Sequence, residues 1–332
     1  MIFHPLILAL FTASLLVGFM AAYAAVFGAQ ILRRWDLRSG SDGQLVLERK
    51  TYLISTLLVY AFAAELVSLV LFIFTADRIH GLFAGAMCDA GTLKANGFGY
   101  PTLLLKGANA ILAGLWLVVN AADNKGFDYP LVRKKYAWLL AASPLILAEI
   151  VLQALYFLKL KPDIITSCCS TLFSQGGTSL GSELASLPVA PMRILFFASV
   201  LGSAGLGLAF VRTGRGARLL GLSSGISLVV SILAMVSFIS IYIYELPAHH
   251  CPFCVLQAGH HYIGYPIYIS LFGGAIAGLG AGVLAPFRRI ASLSSAVPKM
   301  QKTLAWVAAG CFLVLAAVVA VEMALSHLTI PD

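Results

Sequence analysis

The sequence predicts an all-α integral membrane protein with eight transmembrane helices, on three observations. Of its 332 residues 60% are apolar and only 11% charged, too few to cover the surface of a soluble protein of this size. The polar residues fall in short clusters between long apolar runs, and a helix needs roughly 20 apolar residues to cross a ~30 Å hydrocarbon core. The basic residues collect in every second loop. The runs lack the alternation of barrel strands, which leaves helices as the structure that satisfies its backbone in lipid.

In chain order the spans read 5–32, 52–76, 101–121, 137–160, 192–211, 219–243, 263–287 and 303–326. The first is not a signal peptide: no Lys or Arg precedes it, and its 28 residues exceed a signal core. Its basic cluster (Arg33, Arg34, Arg38) follows it, which predicts a retained helix with its N-terminus outside. The third and seventh spans open at Pro101 and Pro266, where a missing first-turn N–H is harmless.

Orientation follows from the positive-inside rule. Arg33, Arg34, Arg38, Arg49 and Lys50 lie in one loop, and Lys125, Arg133, Lys134 and Lys135 in another. Arg212, Arg215 and Arg218, then Arg288, Arg289, Lys299 and Lys302, complete sixteen of the 22 basic residues on one side. That side is cytoplasmic and both termini are extracytoplasmic. The formal +8 charge is therefore a topology signal, and no nucleic acid partner is needed to explain it. The lipid bilayer is the expected surrounding, in a bacterial inner membrane.

An internal repeat is visible. Gly99-Tyr100-Pro101 leads to Ala110-Ile111, and Gly264-Tyr265-Pro266 to Ala275-Ile276, nine residues from proline to alanine in both. Ala137-Trp138 and Ala305-Trp306 follow at similar distances. The expectation is two parallel four-helix halves, residues 1–190 and 191–332, related by an axis along the membrane normal.

On this topology five of the six cysteines and all seven histidines face outward or lie at the outer boundary. The sharpest motif is His249-His250-Cys251-Pro252-Phe253-Cys254. Two cysteines three apart at a helix start can form a reversible disulfide, because the helix N-terminus stabilises a thiolate. Cys251 is then expected to be the exposed sulfur and Cys254 the resolving one, with the pair capping the seventh span. The same spacing also serves a metal site or a structural bridge. Cys168-Cys169 is too tight for an easy mutual disulfide. One of them can bridge Cys88, or both can bind a soft metal with His80 or His249.

His249, His250, His260 and His261, four within thirteen residues, are candidate ligands for a metal or haem, or proton carriers. No Cys-x-x-Cys-His occurs, so covalent c-type haem has no support in the sequence. Charges within spans are functional candidates by default. Glu65 and Glu149 fall mid-span, and Lys106 sits about one turn into the third span, close enough to the interface to snorkel. Such a carboxyl either stays neutral and hydrogen-bonds a neighbouring helix or belongs to a proton or cation path.

Cys251-Pro252-Phe253-Cys254 resembles the Cys-Pro-aromatic-Cys centre of glutaredoxins. Its place at the outer end of a span is similar to the membrane pair of the disulfide bond formation protein B and vitamin K epoxide reductase families. The resemblance implies a quinone cofactor exchanging electrons with Cys251 and Cys254. It also implies a relay pair, Cys88 with Cys168 or Cys169, serving an extracytoplasmic thiol protein. The function expected first is thus a membrane thiol–disulfide oxidoreductase. A non-catalytic subunit or assembly factor of a membrane complex, and a soft-metal transporter or handler, are the alternatives.

Overall fold

The computed structural model describes residues 4–36, 41–83, 85, 86, 88–161, 183 and 185–328. Among these, eight helical segments are long and apolar enough to cross a membrane, and no strand occurs. Helices α1 (Pro5–Arg34) and α2 (Asp42–Arg78) are followed by the short α3 (Asp89–Lys94). Then come α4 (Gly99–Asp123), α5 (Val132–Leu158), α6 (Val189–Thr213) and α7 (Ala217–Ala234). A π turn, Met235–Ile239, joins α7 to α8 (Ser240–Tyr244). Last are α9 (Gly264–Val283) and α10 (Ala296–Leu325). Large apolar side chains such as Phe19, Tyr60, Leu104 and Ile194 are exposed, as expected of helices whose solvent is lipid rather than water.

The spans fall where hydropathy put them, but two helices outrun them. α2 starts at Asp42 rather than 52, and α10 at Ala296 rather than 303. Hydropathy marks the lipid slab, whereas a helix continues wherever side chains support it. In the first turns of α2, Gln44 Nε2 donates to Glu48 at 3.0 Å, a favourable i,i+4 pair.

The chain divides into two compact units. One takes Met1–Thr75, Asn96–Lys161 and Pro286–Val297; the other takes Ala76–Ala95, Pro162–Ala285 and Pro298–Asp332. In the first unit α5 packs against α1 and α4. Its core includes Phe27, Ile31, Phe62, Trp116, Tyr136 and Leu139. Phe62 and Trp116 meet edge to face at 5.0 Å between ring centroids. Lys135, placed by sequence in a basic loop, is instead a buried residue of α5. Its ammonium lies 2.7 Å from Asp123 Oδ2 and donates to Asn120 at 2.9 Å.

In the second unit α7 packs against α6 and α9 through small residues. A Cβ placed on Gly282 would lie 3.0 Å from the Cα of Gly221, and one on Gly278 would strike the Ser224 side chain. These backbones approach closely because neither helix carries a side chain there. Gly282→Leu should therefore destabilise the protein by about 1–3 kcal/mol, the usual range for overpacking. Thermal unfolding in detergent would read this, and an unchanged midpoint would deny the close approach.

Candidate metal centre

Three cysteines meet in the second unit. Cys88 lies in an extended conformation immediately before α3. Cys251 and Cys254 belong to the 245–263 loop, in which Cys254–Leu256 and Ala258–His260 are single 3-10 turns. The three sulfurs lie within 4.8 Å of one another, and all three residues are buried. Cys88 Sγ and Cys251 Sγ are 3.8 Å apart, far beyond the ~2.05 Å of a disulfide. His249 Nε2 is 3.5 Å from Cys254 Sγ.

Several contacts fix this arrangement. Tyr244 Oη donates to the Cys251 carbonyl at 2.6 Å, and Tyr268 Oη to the Pro252 carbonyl at 2.6 Å. Gln257 Nε2 donates to Asp77 at 3.0 Å, tying the loop to the end of α2 from which the Cys88 segment departs. A Cβ on Gly264 would meet Val255 at 2.6 Å, so the glycine of this Gly-Tyr-Pro triplet lets the cysteine turn sit directly on the start of α9. The π turn contributes as well. Ser240 N–H bonds to the Met235 carbonyl, not to its α-helical partner Val236. His250 Nδ1 lies 2.9 Å from the Val236 carbonyl and donates to it, anchoring the residue next to Cys251.

Sequence reading and structure differ at two points. The pair does not cap the seventh span as its first residues: α9 begins at Gly264, ten residues after Cys254, and the cysteines lie in the preceding loop, whose Val255 and Leu256 pack on that helix start. Cys251 is not the exposed sulfur; it is fully buried at 0%, against 7% for Cys254. Cys88 finds Cys251 and Cys254 as its sulfur neighbours, while Cys168 and Cys169 lie outside the described residues. Of the four candidate histidine ligands, His249 approaches a sulfur. His250 is committed to Val236, His260 packs at a tilt against Tyr244 with ring centroids 4.6 Å apart, and His261 is exposed with φ 52°.

Two separations match those of a tetrahedral soft ion held by sulfur and nitrogen; the group whose ligand atoms lie within 4.8 Å of one another is the three sulfurs, with His249 at its Cys254 edge. With metal–sulfur bonds of ~2.3 Å and metal–nitrogen bonds of ~2.0 Å, such an ion has S···S edges of ~3.8 Å and S···N edges of ~3.5 Å. The Cys88–Cys251 and His249–Cys254 separations are 3.8 and 3.5 Å. Burial pushes the His249 pKa below its ordinary 6.5, with Cys88 opposing and His250 reinforcing the shift. The imidazole is therefore neutral and ready to ligate. His260 shifts the same way, through burial and its histidine neighbours.

The sign for stability follows from proton linkage. Below about 6.5 the unfolded chain takes up these protons before the folded one. The histidines' contribution is complete above that pH and declines as pH falls through the lowered folded values. Metal-free protein should accordingly melt at lower temperature on acidification, and a His249→Gln, His260→Gln double variant should show a shallower decline. An identical slope would exclude both histidines.

A second polar cluster lies in the first unit and joins all three intramembrane candidates. Lys106 is fully buried, so it does not snorkel. Its Nζ donates to Glu149 Oε1 at 2.6 Å and Ser68 Oγ at 2.7 Å, and lies 3.9 Å from Glu65 Oε1. Asn109 Nδ2 donates to Glu149 Oε2 at 2.6 Å. Sequence reading missed Ser68, Asn109, Tyr244 and Tyr268. For Asn109 a signal existed, since it lies three residues after Lys106 on the same helical face.

Compared with family models, with curated proteins and with solved structures, the chain finds no match.

Proposed function

We propose that this is a soft-metal-handling membrane protein, with Cys88, Cys251 and Cys254 as thiolate ligands and His249 as the fourth ligand. The observation that carries the reading is the mutual approach of three buried sulfurs within 4.8 Å. Thiolate-rich sites select Zn²⁺ or Cu⁺. Four protein ligands around such an ion leave no position for substrate, so the site holds an ion rather than activating water.

Thiol–disulfide exchange is the second reading, supported by the 3.8 Å between Cys88 and Cys251 sulfurs, a gap that side-chain rotation can close. In that case a Cys251–Cys254 disulfide exchanges to Cys251–Cys88, and two electrons with two protons pass between an extracytoplasmic thiol protein and a quinone, the partner's two thiols becoming a disulfide as the quinone becomes a quinol, or the reverse. Burial of Cys88 and Cys251 at 0% weighs against it.

Purified protein decides between them. The metal reading expects about one Zn or Cu per chain, and cysteines that alkylate only after chelation. A metal-free protein whose cysteines become reactive only after reduction would replace it with the redox reading.

The basic-residue asymmetry further supports an extracytoplasmic metal loop, extracytoplasmic termini and a bacterial inner membrane as location. A reporter fused after the last residue should be active in its extracytoplasmic form, and cytoplasmic-type activity would invert the topology. We also read the halves as a parallel duplication; α4 and α9 both start at the glycine of their Gly-Tyr-Pro triplets.

A further inference from the structure

We infer that Glu65 holds an exchangeable proton, making the Glu65–Lys106–Glu149 cluster a proton-binding site inside the membrane. The inference is independent of the metal centre. Two carboxyls and one ammonium are buried together, at 2%, 1% and 0% exposure. With every group ionised the cluster carries one net negative charge in surroundings that disfavour it. One further positive charge is required, and the hydrogen bonds say where it goes.

Glu149 is the ionised member. Its two oxygens accept from Lys106 and Asn109, each at 2.6 Å, the short donor-rich geometry of a carboxylate. Lys106 spends a second proton on Ser68. Glu65 is left with the ammonium at 3.9 Å, beyond hydrogen-bond range, and with a hydrogen bond to the Glu149 carboxyl, while its Oε1 accepts none among the described residues. A carboxylate would be poorly stabilised in that position. A carboxylic acid fits it, because two neighbouring carboxyls share a hydrogen bond only when one of them carries the proton. The reaction is Glu65 COOH releasing H⁺ to water to give COO⁻, and the reverse.

Infrared spectroscopy of the purified full chain reads this through the carbonyl stretch of a protonated carboxylic acid. The expected result is one such band at neutral pH that shifts on transfer to D₂O without unfolding. Glu65→Gln should abolish it. Glu149→Gln should abolish it too, because Glu65 then becomes the sole counter-ion of Lys106. Lys106→Met should about double it, since both carboxyls would then be neutral. Each variant is first checked for a monodisperse elution profile, and the two Gln variants suffice if Lys106→Met does not fold. A band that never exchanges would make Glu65 a sealed structural acid. A band present only when sodium is replaced by choline would make the compensating charge a sodium ion. Either result, or no band at all, overturns the inference.

Discussion

On the proposed metal reading, Cys88→Ser, Cys251→Ser and Cys254→Ser are each expected to abolish metal binding. Each removes a soft thiolate from a set of three within 4.8 Å. Structural Zn²⁺ in such sites binds with about 10–16 kcal/mol of apparent free energy, so losing one thiolate should exceed the ~10–100-fold in affinity that outer-sphere changes cost. Tyr244→Phe and Tyr268→Phe test the outer sphere itself. They delete the hydroxyls holding the Cys251 and Pro252 carbonyls, and each should weaken affinity by no more than that ~10–100-fold. The ranking is the checkable content, read by competition with a chromophoric chelator. Serine variants that retain full metal would remove the cysteines from the site.

Asp123→Ala should be the most destabilising single change outside the metal loop, at about 3–5 kcal/mol. It leaves Lys135 buried at 1% exposure without its counter-ion. It also removes the acceptor of the Leu131 N–H, 2.7 Å from Asp123 Oδ1 at the turn into α5. A buried ion pair is not itself a large source of stability, because both charges are desolvated to make it. The double variant Asp123→Leu, Lys135→Met should therefore recover most of the loss. Unfolding in graded denaturing detergent would measure both, and a double variant no better than the single would place the effect in the Leu131 turn alone.

The membrane helices were legible because hydropathy is a property of each stretch by itself. The cysteine centre was legible only in part. Cys251 and Cys254 announce themselves by spacing, but Cys88 joins them across 163 residues. The Asp77–Gln257 bond that ties their two segments together spans 180 residues. Nothing local encodes either contact. The expected helix cap failed for a different reason: the seventh span reads from 263, nine residues past Cys254, and Val255 and Leu256 fold back to pack on Gly264, where the helix begins. Lys135 misled because the positive-inside rule counts charges without seeing Asp123 and Asn120, 12 and 15 residues back at the end of α4. The intramembrane cluster was halfway visible. Glu65, Lys106 and Glu149 stand out as charges in apolar runs, while their convergence needed three helices to pack.

The central claim is the donor set, and X-ray absorption at the edge of the metal that copurifies with the protein, or of Zn²⁺ added to it, tests that set directly. The account predicts three sulfurs at about 2.3 Å and one nitrogen at about 2.0 Å, with the nitrogen replaced in His249→Gln and one sulfur lost in each cysteine variant. A shell of oxygen and nitrogen only, or a protein that retains no ion while its cysteines cycle between thiol and disulfide, would contradict it.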